Sequence, residues 1–444
     1  MSAARRRIAG WGLALLGLGN AAIVVGLWLR SGLGDIHDTA TVLTGLGRVA
    51  GLLGAYLVLV ELLLLARIPL LERVAGHDRL TTWHRINGRV CLTLLLAHAA
   101  LITAGYTVGD RISLPAEAER LITGYPGVIT AVAGLVLLIA VVVSSAVVVR
   151  RRLRYETWYF VHLYAYLAIA LAFSHQLATG TDFVGRPAAR AYWYALYIGT
   201  LAAVVAFRLA LPLARSARHR LRVAAVVEEA PGVVSVEIGG VALDRLQARA
   251  GQFFSWRFLT RDRWWEAHPF SLSAAPDGRR LRITVKGLGD YTAALRAIPP
   301  GTRVIAEGPF GAFTTAARRR PRVALIAGGV GITPIRALLE DMPGEPGEIA
   351  VVYRALREED VILRAELDEL AVRRGVEVHY VVGDHRGADE QELLSPEHLL
   401  RLVPDIAERD VYVCGPPAMT EATRASLGRS GVSRRQIFTE RFAY

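Results

Sequence analysis

The stretch TWHRINGRVCLTLLLAHAALITAGY, residues Thr82 to Tyr106, decides how the rest of the chain can be arranged. It is long enough to cross a bilayer as a helix, and it contains no Lys or Arg after its eighth residue. Its two histidines, His84 and His98, are 14 residues apart, which is about 21 Å along a helix. Ionisable side chains are costly inside a bilayer and usually mark a functional site, so this segment predicts a site at two depths.

A second apolar segment repeats this arrangement with His162 and His175, 13 residues apart. Imidazole is a usual axial ligand of haem iron, so two helices with a histidine near either face predict two stacked bis-histidine haems. We expect His84 to pair with His162 and His98 with His175. The alternative is four unrelated buried histidines bonded to backbone carbonyls. One point stays open, because 13 residues at 100° each place His162 and His175 about 140° apart on a straight helix.

The composition predicts a membrane half followed by a soluble half. The chain has 444 residues, of which 53% are hydrophobic. The first apolar segment follows Arg5–Arg7 like a signal peptide, but no small-residue cleavage site comes after it, so we interpret it as an uncleaved span. The six predicted spans are 8–29, 42–66, 84–106, 126–149, 157–177 and 191–213.

Arginine clusters alternate with acidic loops along these spans. The basic positions are Arg5–Arg7 at the start, Arg67, Arg73, Arg79 and Arg85 between spans two and three, Arg150–Arg152 and Arg154 between spans four and five, and Arg215, Arg218, Arg220 and Arg222 after span six. By the positive-inside rule, the N-terminus and the soluble half face the cytoplasm of a cell-membrane protein. Membrane orientation accounts for the net charge of +12, so we expect no nucleic-acid partner.

The soluble half changes from short strands to alternating strands and helices. Strands are predicted at 222–228, 233–238, 252–258, 281–286 and 303–307, separated by Pro, Gly and Asp turns, which is typical of an antiparallel β-barrel. Buried strands at 323–327, 349–353, 376–382 and 411–414 alternate with helices and predict a doubly wound α/β domain. The predicted domains are 1–216, 217–317 and 318–444.

Glycine-rich turns at strand ends predict the nucleotide sites. The run from Gly328 to Pro334 follows strand 323–327 and opens a helix, where backbone N–H groups can bind a pyrophosphate. Cys414-Gly415-Pro416 ends a later strand of the same sheet, at the edge where such folds bind ligands. In the barrel, Lys286, Gly289 and Thr292 surround a short helix start and predict a second anion site.

The chain resembles the ferric reductase and NADPH oxidase family over nearly its whole length. The histidine spacings resemble those of the ferric-reductase transmembrane domain, and the soluble half resembles the ferredoxin-reductase-like module that binds FAD and a nicotinamide dinucleotide. The resemblance implies that electrons pass from cytoplasmic NAD(P)H through FAD and two b-type haems to an acceptor outside.

The resemblance also assigns residues to cofactors. It places His268, Pro269, Phe270 and Ser271 against the flavin and ribityl chain, and Lys286 and Thr292 at the FAD phosphates. It assigns the nicotinamide-dinucleotide phosphates to Gly328, Gly329, Gly331, Thr333 and Pro334. Cys414, Gly415 and Pro416 match the motif beside the nicotinamide. Glu440-Arg441-Phe442 resembles the acidic-x-aromatic terminus, with Phe442, or alternatively Tyr444, covering the flavin.

Two arginines carry further expectations. Arg48, near the outer end of span two, needs a partner, which is either a haem propionate or the lipid headgroups; the family has an arginine at the outer haem. Arg354 follows strand 349–353, where arginine suits the 2′-phosphate of NADPH, so NADPH is favoured over NADH.

The acceptor is predicted to be a ferric chelate, and alternatives remain open. Oxygen-reducing relatives often have a further histidine one turn after the outer ligand, and this chain has Ile102 there. An NADPH oxidase forming superoxide, an electron donor to an extracytoplasmic redox protein, and a non-enzymatic haem scaffold are the alternatives.

Overall fold

The computed structural model describes residues 3–150, 152–153, 155–180, 186–384 and 393–441. Two compact units divide the chain, Met1–Arg208 and Leu209–Tyr444. The first is entirely helical in its described part, and the second contains all the strands found there. The predicted fold class is confirmed: apolar helices come first, then small antiparallel sheets, then a parallel sheet flanked by helices.

The first unit is a bundle of long apolar helices. Its helices are α1 (Ala3–Gly32), α2 (Thr39–Leu64), α3 (Pro69–Ala75), α4 (His77–Asp110), α5 (Leu114–Gly124), α6 (Val128–Ser145), α7 (Val147–Arg150), α8 (Tyr155–Thr179) and α9 (Pro187–Val205). Within the described residues, six helical stretches are long and apolar enough to cross a membrane, as predicted. The helix carrying His84 and His98 is longer than its predicted span, because α4 continues for about a turn or two into polar residues at each end.

Glycines bring the long helices together in pairs. Helix α2 packs along α4, and α6 packs along α8. A Cβ added at Gly54 would lie 2.9 Å from the side chain of Leu95, and one at Gly134 would lie 2.6 Å from the carbonyl oxygen of Ala168. Small residues allow this close approach, which supplies much of the packing energy between helices in a bilayer.

The second unit begins with a helix and two three-stranded antiparallel sheets. These elements are α10 (Leu211–His219), β1 (Arg222–Ala230), β2 (Val233–Gly239), β3 (Phe253–Phe258), β4 (His268–Ser271), β5 (Arg280–Lys286), α11 (Asp290–Ala294) and β6 (Val304–Phe310). The sheet orders are β1-β2-β5 and β4-β3-β6. Phe254, Trp256 and Phe258 point into the core between them and are almost fully buried. Strand β4 was not among the predicted strands.

A five-stranded parallel sheet completes the unit. Its elements are β7 (Val323–Gly328), α12 (Ile332–Asp341), β8 (Ile349–Ala355), α13 (Arg364–Arg374), β9 (Glu377–Val382), α14 (Pro396–Leu402), β10 (Asp410–Gly415), α15 (Pro417–Arg429) and β11 (Ile437–Arg441). The order is β11-β10-β7-β8-β9. Every residue of β7 is buried, as expected for a central parallel strand covered on both faces. Strand β11 was not predicted.

Helix α10 falls in the second compact unit, whereas the predicted membrane domain ends at residue 216; that predicted boundary stays a prediction. Its last turns contact β6: Arg215 donates to the carbonyl oxygen of Gly308 at 2.8 Å, and Ser216 accepts from the backbone N–H of Ala306 at 3.1 Å. These bonds explain why the unit begins at Leu209. The predicted boundary between the barrel and the α/β domain stays a prediction.

An ion cluster joins the antiparallel sheets to the parallel-sheet domain. Arg282 of β5 donates to both carboxylate oxygens of Glu366 in α13, at 2.7 and 2.8 Å. Arg336 of α12 places its Nε 2.8 Å from the same carboxylate. Burial raises the pKa of Glu366, but the two arginines outweigh burial and hold this pKa below its ordinary value. A bidentate pair of this kind fixes orientation as well as adding energy.

The glycine contacts predict a difference between two Gly→Ala variants. Gly134→Ala should destabilise the bundle by roughly 1–3 kcal/mol, because its Cβ would press on the backbone of α8. Gly199→Ala in α9 is the control, since nothing lies within 4 Å of its Cβ position. Thermal unfolding of the detergent-solubilised protein should show a lower midpoint for Gly134→Ala alone. Equal midpoints for the two variants would contradict the packing of α6 against α8.

Candidate functional site

The four predicted ligand histidines come together as two pairs. His84 of α4 faces His162 of α8 with ring centroids 6.0 Å apart and planes inclined by 58°. His98 and His175 of the same helices face each other at 6.2 Å and 50°. We call these the inner pair and the outer pair, after their predicted depths. Both pairs form although α8 is one unbroken helix, so the 140° offset expected for a straight helix does not prevent pairing.

The outer pair has a neutral polar partner at each Nδ1. The Nδ1 of His98 lies 2.8 Å from the carbonyl oxygen of Gly47 in α2, where it can donate a hydrogen bond. The Nδ1 of His175 lies 2.9 Å from the hydroxyl of Thr179. A hydrogen bond at one ring nitrogen fixes the tautomer and leaves the other nitrogen for a metal. Nε2 is therefore the nitrogen that each outer histidine offers.

The inner pair is also held through Nδ1. The Nδ1 of His162 lies 3.3 Å from the hydroxyl of Ser145, which also accepts from Trp158 Nε1 at 3.1 Å. The Nδ1 of His84 lies 2.8 Å from Glu61 Oε1 of α2. The two atoms are at the distance of an ion pair, but they do not form a hydrogen bond. Nε2 is again the nitrogen left for a ligand.

The spacing of each pair fits an iron already held by a macrocycle. Imidazole nitrogens bind transition metals at about 2 Å, so two rings on opposite sides of one ion have centroids about 6 Å apart. In the described part of the chain, no group of three or more His, Cys, Asp or Glu could hold a bare metal ion. Two protein ligands per site suffice for haem, whose other four ligands are its own nitrogens. The residues present therefore fit haem at both pairs.

Two glycines allow neighbouring backbone segments to lie close to the histidines of the outer pair. A Cβ at Gly51 would lie 2.6 Å from His98 Nδ1, and one at Gly127 would lie 3.0 Å from the backbone of His175. Arg48 follows Gly47 in α2 and is half-buried. Ile102 packs against α2 at Gly47, since a Cβ there would meet the Ile102 side chain at 3.0 Å.

The predicted flavin residues form one edge of the antiparallel sheets. His268, Pro269, Phe270 and Ser271 make up β4, which pairs with β3. The His268 ring lies 3.9 Å from the ring of Tyr291. Burial raises the pKa of the Tyr291 phenol. Within the described residues, neither the Oη of Tyr291 nor the buried Nε of Arg257 has a hydrogen-bond partner. These two orphaned polar atoms beside the predicted flavin loop fit a ligand that carries acceptor groups, such as FAD.

Each residue predicted to bind the FAD phosphates already has a hydrogen-bond partner in the protein: an aspartate for Lys286 and backbone N–H groups for Thr292. Lys286 Nζ donates to Asp360 Oδ1 at 2.7 Å. The hydroxyl of Thr292 accepts from the backbone N–H groups of Leu288 and Gly289, at 2.9 and 3.0 Å. Gly289 is the residue before α11 and has an extended backbone. A phosphate at this position would compete with Asp360 for Lys286.

The nicotinamide loop lies where β7 and β10 end side by side. The chain leaves β7 at Gly328, makes one turn over Gly329–Gly331 and enters α12. A Cβ at Gly328 would collide with the Met419 side chain, and one at Gly331 would collide with the carbonyl of Cys414. Gly329 has φ of +53° and nothing within 4 Å of its Cβ position, so it is open to a ligand. Thr333 and Pro334 lie in the buried first turn of α12.

Cys414 and Glu440 are neighbours on adjacent strands. They are register partners between β10 and β11, beside Gly415 and Pro416. Cys414 is completely buried, and burial together with Glu440 raises the pKa of its thiol well above the ordinary value. Burial therefore favours the neutral thiol form of Cys414. Phe442 and Tyr444 lie outside the described residues.

Arg354 points into the sheet. Its guanidinium donates to the carbonyl oxygens of Ala355, Val381 and Gly383, and the residue is 8% exposed. Arg357 is exposed and pairs with Glu359 at 3.0 Å. The predicted phosphate contact of Arg354 would require these backbone bonds to break, so the preference for NADPH loses part of its basis and stays a prediction.

Sequence reasoning gave no role to the groups that orient the histidines. Glu61 is a carboxylate inside a predicted span, but its pairing with His84 depends on the packing of α2 on α4. Ser145 and Thr179 are hydroxyls in apolar helices, which are too common to single out. Tyr291 lies between Gly289 and Thr292 of the predicted anion site, but no role was predicted for it.

Comparisons with known proteins match the two halves separately. The family model "Ferric reductase like transmembrane component" matches residues 50–173, and "Oxidoreductase NAD-binding domain" matches residues 325–425. NADH-cytochrome b5 reductase 1 of Dictyostelium discoideum is 33% identical over 147 residues, covering 31% of this chain and 51% of the relative. The toluate 1,2-dioxygenase electron transfer component of Pseudomonas putida is 25% identical over 235 residues, covering 52% and 69%.

The chain spans about half the length of the first curated relatives it matches. Among solved structures, the flavohemoglobin of Malassezia yamatoensis is 19% identical with a TM-score of 0.44, covering 88% of this chain and 98% of that one. The FAD/NAD-binding domain of the Vibrio cholerae nitric oxide dioxygenase is 23% identical with a TM-score of 0.41, covering 50% and 97%. Residues 50–173 thus match the family of ferric reductase like transmembrane components, and residues 325–425 of the same chain match the oxidoreductase NAD-binding domain.

Proposed function

We propose that the protein is a transmembrane oxidoreductase that takes electrons from cytoplasmic NAD(P)H and delivers them across the membrane, with ferric chelates as the acceptor. The observation that carries this proposal is the presence of two histidine pairs, 6.0 and 6.2 Å between centroids, about 21 Å apart along α4. The two family matches support a membrane oxidoreductase with flavin and nicotinamide sites. When bound, FAD exchanges a hydride for single electrons, and haem iron carries single electrons between the faces of the membrane.

The chain's own residues bind and orient these groups. The inner pair and the outer pair would each hold one b-type haem through Nε2, while their Nδ1 partners fix the rings. His268 to Ser271 and Tyr291 would line the flavin, and Lys286 with Thr292 would bind its phosphates. The turn from Gly328 to Thr333 would bind the dinucleotide, with Cys414 and Pro416 beside the nicotinamide. Arg48 would neutralise a propionate at the outer haem.

The arginine-rich loops support a cytoplasmic second unit in the cell membrane. Outward electron transfer is then assisted by a potential that is negative inside, by about 2.3 kcal/mol per charge for each 100 mV. Nicotinamide oxidation would occur where reduced nucleotides are made, and the acceptor would remain outside. NADPH is the proposed donor, because arginines lie at and just after the end of β8, at the position where a 2′-phosphate would lie.

The surroundings of the outer pair favour a metal chelate over oxygen as the acceptor. Ile102, one turn after His98, fills its position with an apolar side chain packed on α2. No polar group at that position can orient a bound oxygen species. A redox protein outside the membrane remains the third acceptor class.

Acceptor-dependent reoxidation tests the function. The purified protein, reduced with NADPH in the absence of oxygen, should show haem reoxidation on adding ferric citrate. Under air without iron, superoxide should form more slowly than NADPH is oxidised in the presence of ferric citrate. Superoxide formed stoichiometrically with NADPH oxidation, and no acceleration by iron, would identify an oxidase instead.

Replacing an outer ligand should remove one haem and leave the flavin chemistry intact. His98→Leu loses one axial bond, so the pyridine haemochrome should report one haem per chain instead of two. Anaerobic reduction of the flavin by NADPH should keep its rate, because the flavin residues are in the other unit. An unchanged haem content would contradict the ligand assignment.

Filling the open glycine of the nucleotide loop should slow flavin reduction. Gly329→Val places a branched side chain where the dinucleotide phosphates would approach, so the rate of flavin reduction at low NADPH should fall at least tenfold. Gly347→Val is a matched control, since Gly347 also has positive φ, +81°, and open space at its Cβ. Haem content should stay unchanged in both variants. Equal rates in the two variants would exclude Gly329 from the nucleotide site.

A further inference from the structure

The two histidine pairs differ in the charge of the groups at Nδ1. At the outer pair, His98 faces the neutral carbonyl of Gly47 and His175 the neutral hydroxyl of Thr179. At the inner pair, His162 faces the neutral hydroxyl of Ser145, but His84 faces the carboxylate of Glu61 at 2.8 Å. Within the described residues, His84 is the one of these four histidines with an acidic side chain at its Nδ1.

Glu61 is held in place by a second helix-to-helix contact. Asn87 of α4 donates from Nδ2 to Glu61 Oε2 at 2.6 Å and to the carbonyl oxygen of Leu57 at 2.9 Å. Oε2 is thereby occupied, and Oε1 is directed to His84. The side chains of Glu61 and His84 are each 18% exposed, so water screens their interaction only weakly.

The charged residues of α2 also differ between the two histidine pairs. Glu61 lies near the predicted cytoplasmic end of the helix, and Arg48 lies 13 residues earlier, beside Gly47. Near the inner pair, Arg150 stacks on the Trp158 ring at 4.7 Å, and the centroid of the Trp158 ring lies 5.2 Å from that of His162. The Trp158 ring therefore lies between Arg150 and His162, whereas the Glu61 carboxylate lies directly beside the His84 imidazole.

A carboxylate beside the Nδ1 of a ligand imidazole raises the basicity of the imidazole and makes it a stronger donor to the metal. Stronger donation and nearby negative charge stabilise ferric over ferrous iron, and second-shell hydrogen bonding is one means by which proteins set haem potentials. The outer pair lacks this effect, and the cation of Arg48 would act in the opposite direction.

We propose that Glu61 is a positioning residue that gives the inner haem the lower of two reduction potentials, so that electron transfer from the inner to the outer haem is downhill. This inference rests on the proposed two-haem function. Asn87 limits the effect, because its donation withdraws electron density from the carboxylate.

The test uses two variants with opposite expected signs. Glu61→Gln keeps an oxygen near Nδ1 but removes the charge, so the lower midpoint potential should rise. A shift of the reduction equilibrium of tenfold corresponds to about 59 mV for a one-electron couple. Asn87→Ala leaves the carboxylate without its donor, so the lower midpoint should fall. In both variants the upper midpoint should stay at its wild-type value.

The measurement is a potentiometric titration of the haem absorbance of the purified full-length holoprotein, with haem content determined separately. Thr179→Val is the control at the outer pair, and it should leave the lower midpoint unchanged. If Glu61→Gln loses a haem, the inference is tested by the direction in which the lower midpoint potential shifts in Asn87→Ala. A lower midpoint that does not move, moves upward in Asn87→Ala, or moves equally in Thr179→Val would overturn the inference.

These outcomes are separate from failure of the proposed function. A wild-type protein without two haems would refute the function and would be seen in the haem content before any titration. Two haems with potentials insensitive to Glu61 and Asn87 would leave the function in place and refute only the role of Glu61.

Discussion

The facing of α4 and α8 through two histidine pairs is the constraint on which the membrane unit depends. Each pair needs its rings about 6 Å apart, and both pairs must meet this requirement along the same two helices. The neighbouring helices serve this geometry. Helix α2 lies close enough to α4, through its glycines, for the Gly47 carbonyl and the Glu61 carboxylate to reach the histidines of α4. Helix α6 does the same for α8 through Gly134 and Ser145.

In the second unit, the main constraint is that the loop after β7 and the end of β10, which together form the predicted nucleotide site, lie in contact. The loop after β7 and the end of β10 touch through backbone atoms, which is why Gly328 and Gly331 carry no side chain. The bidentate pair of Arg282 and Glu366, with Arg336, ties the flavin-type sheets to the α/β domain. A hydride passes only between groups held in contact, so a rigid junction between these domains serves the proposed reaction.

Much of this was predictable from the pattern of residues. The spans follow from apolar length, and the phosphate turn follows from glycines between a buried strand and a helix. The pairing of His84 with His162 follows from matched depth. Strands β4 and β11 were missed because each is short and is stabilised mainly by its neighbours in the sheet. The role expected for Arg354 shows a different limit: its position in the sequence suits a phosphate contact, but its side chain donates to three backbone carbonyls at the end of β8 and β9, so the role stays a prediction.

The sequence by itself determined the class of the protein, because hydrophobic length, loop charge and strand–turn–helix order are local properties that survive without knowledge of packing. It also determined which imidazoles can share a depth. Only the tertiary structure decided what each Nδ1 faces, and therefore that one histidine of the inner pair has a carboxylate partner and the outer pair has none. The physical reason is that Glu61 and His84 are 23 positions apart on different helices and meet only when α2 packs on α4.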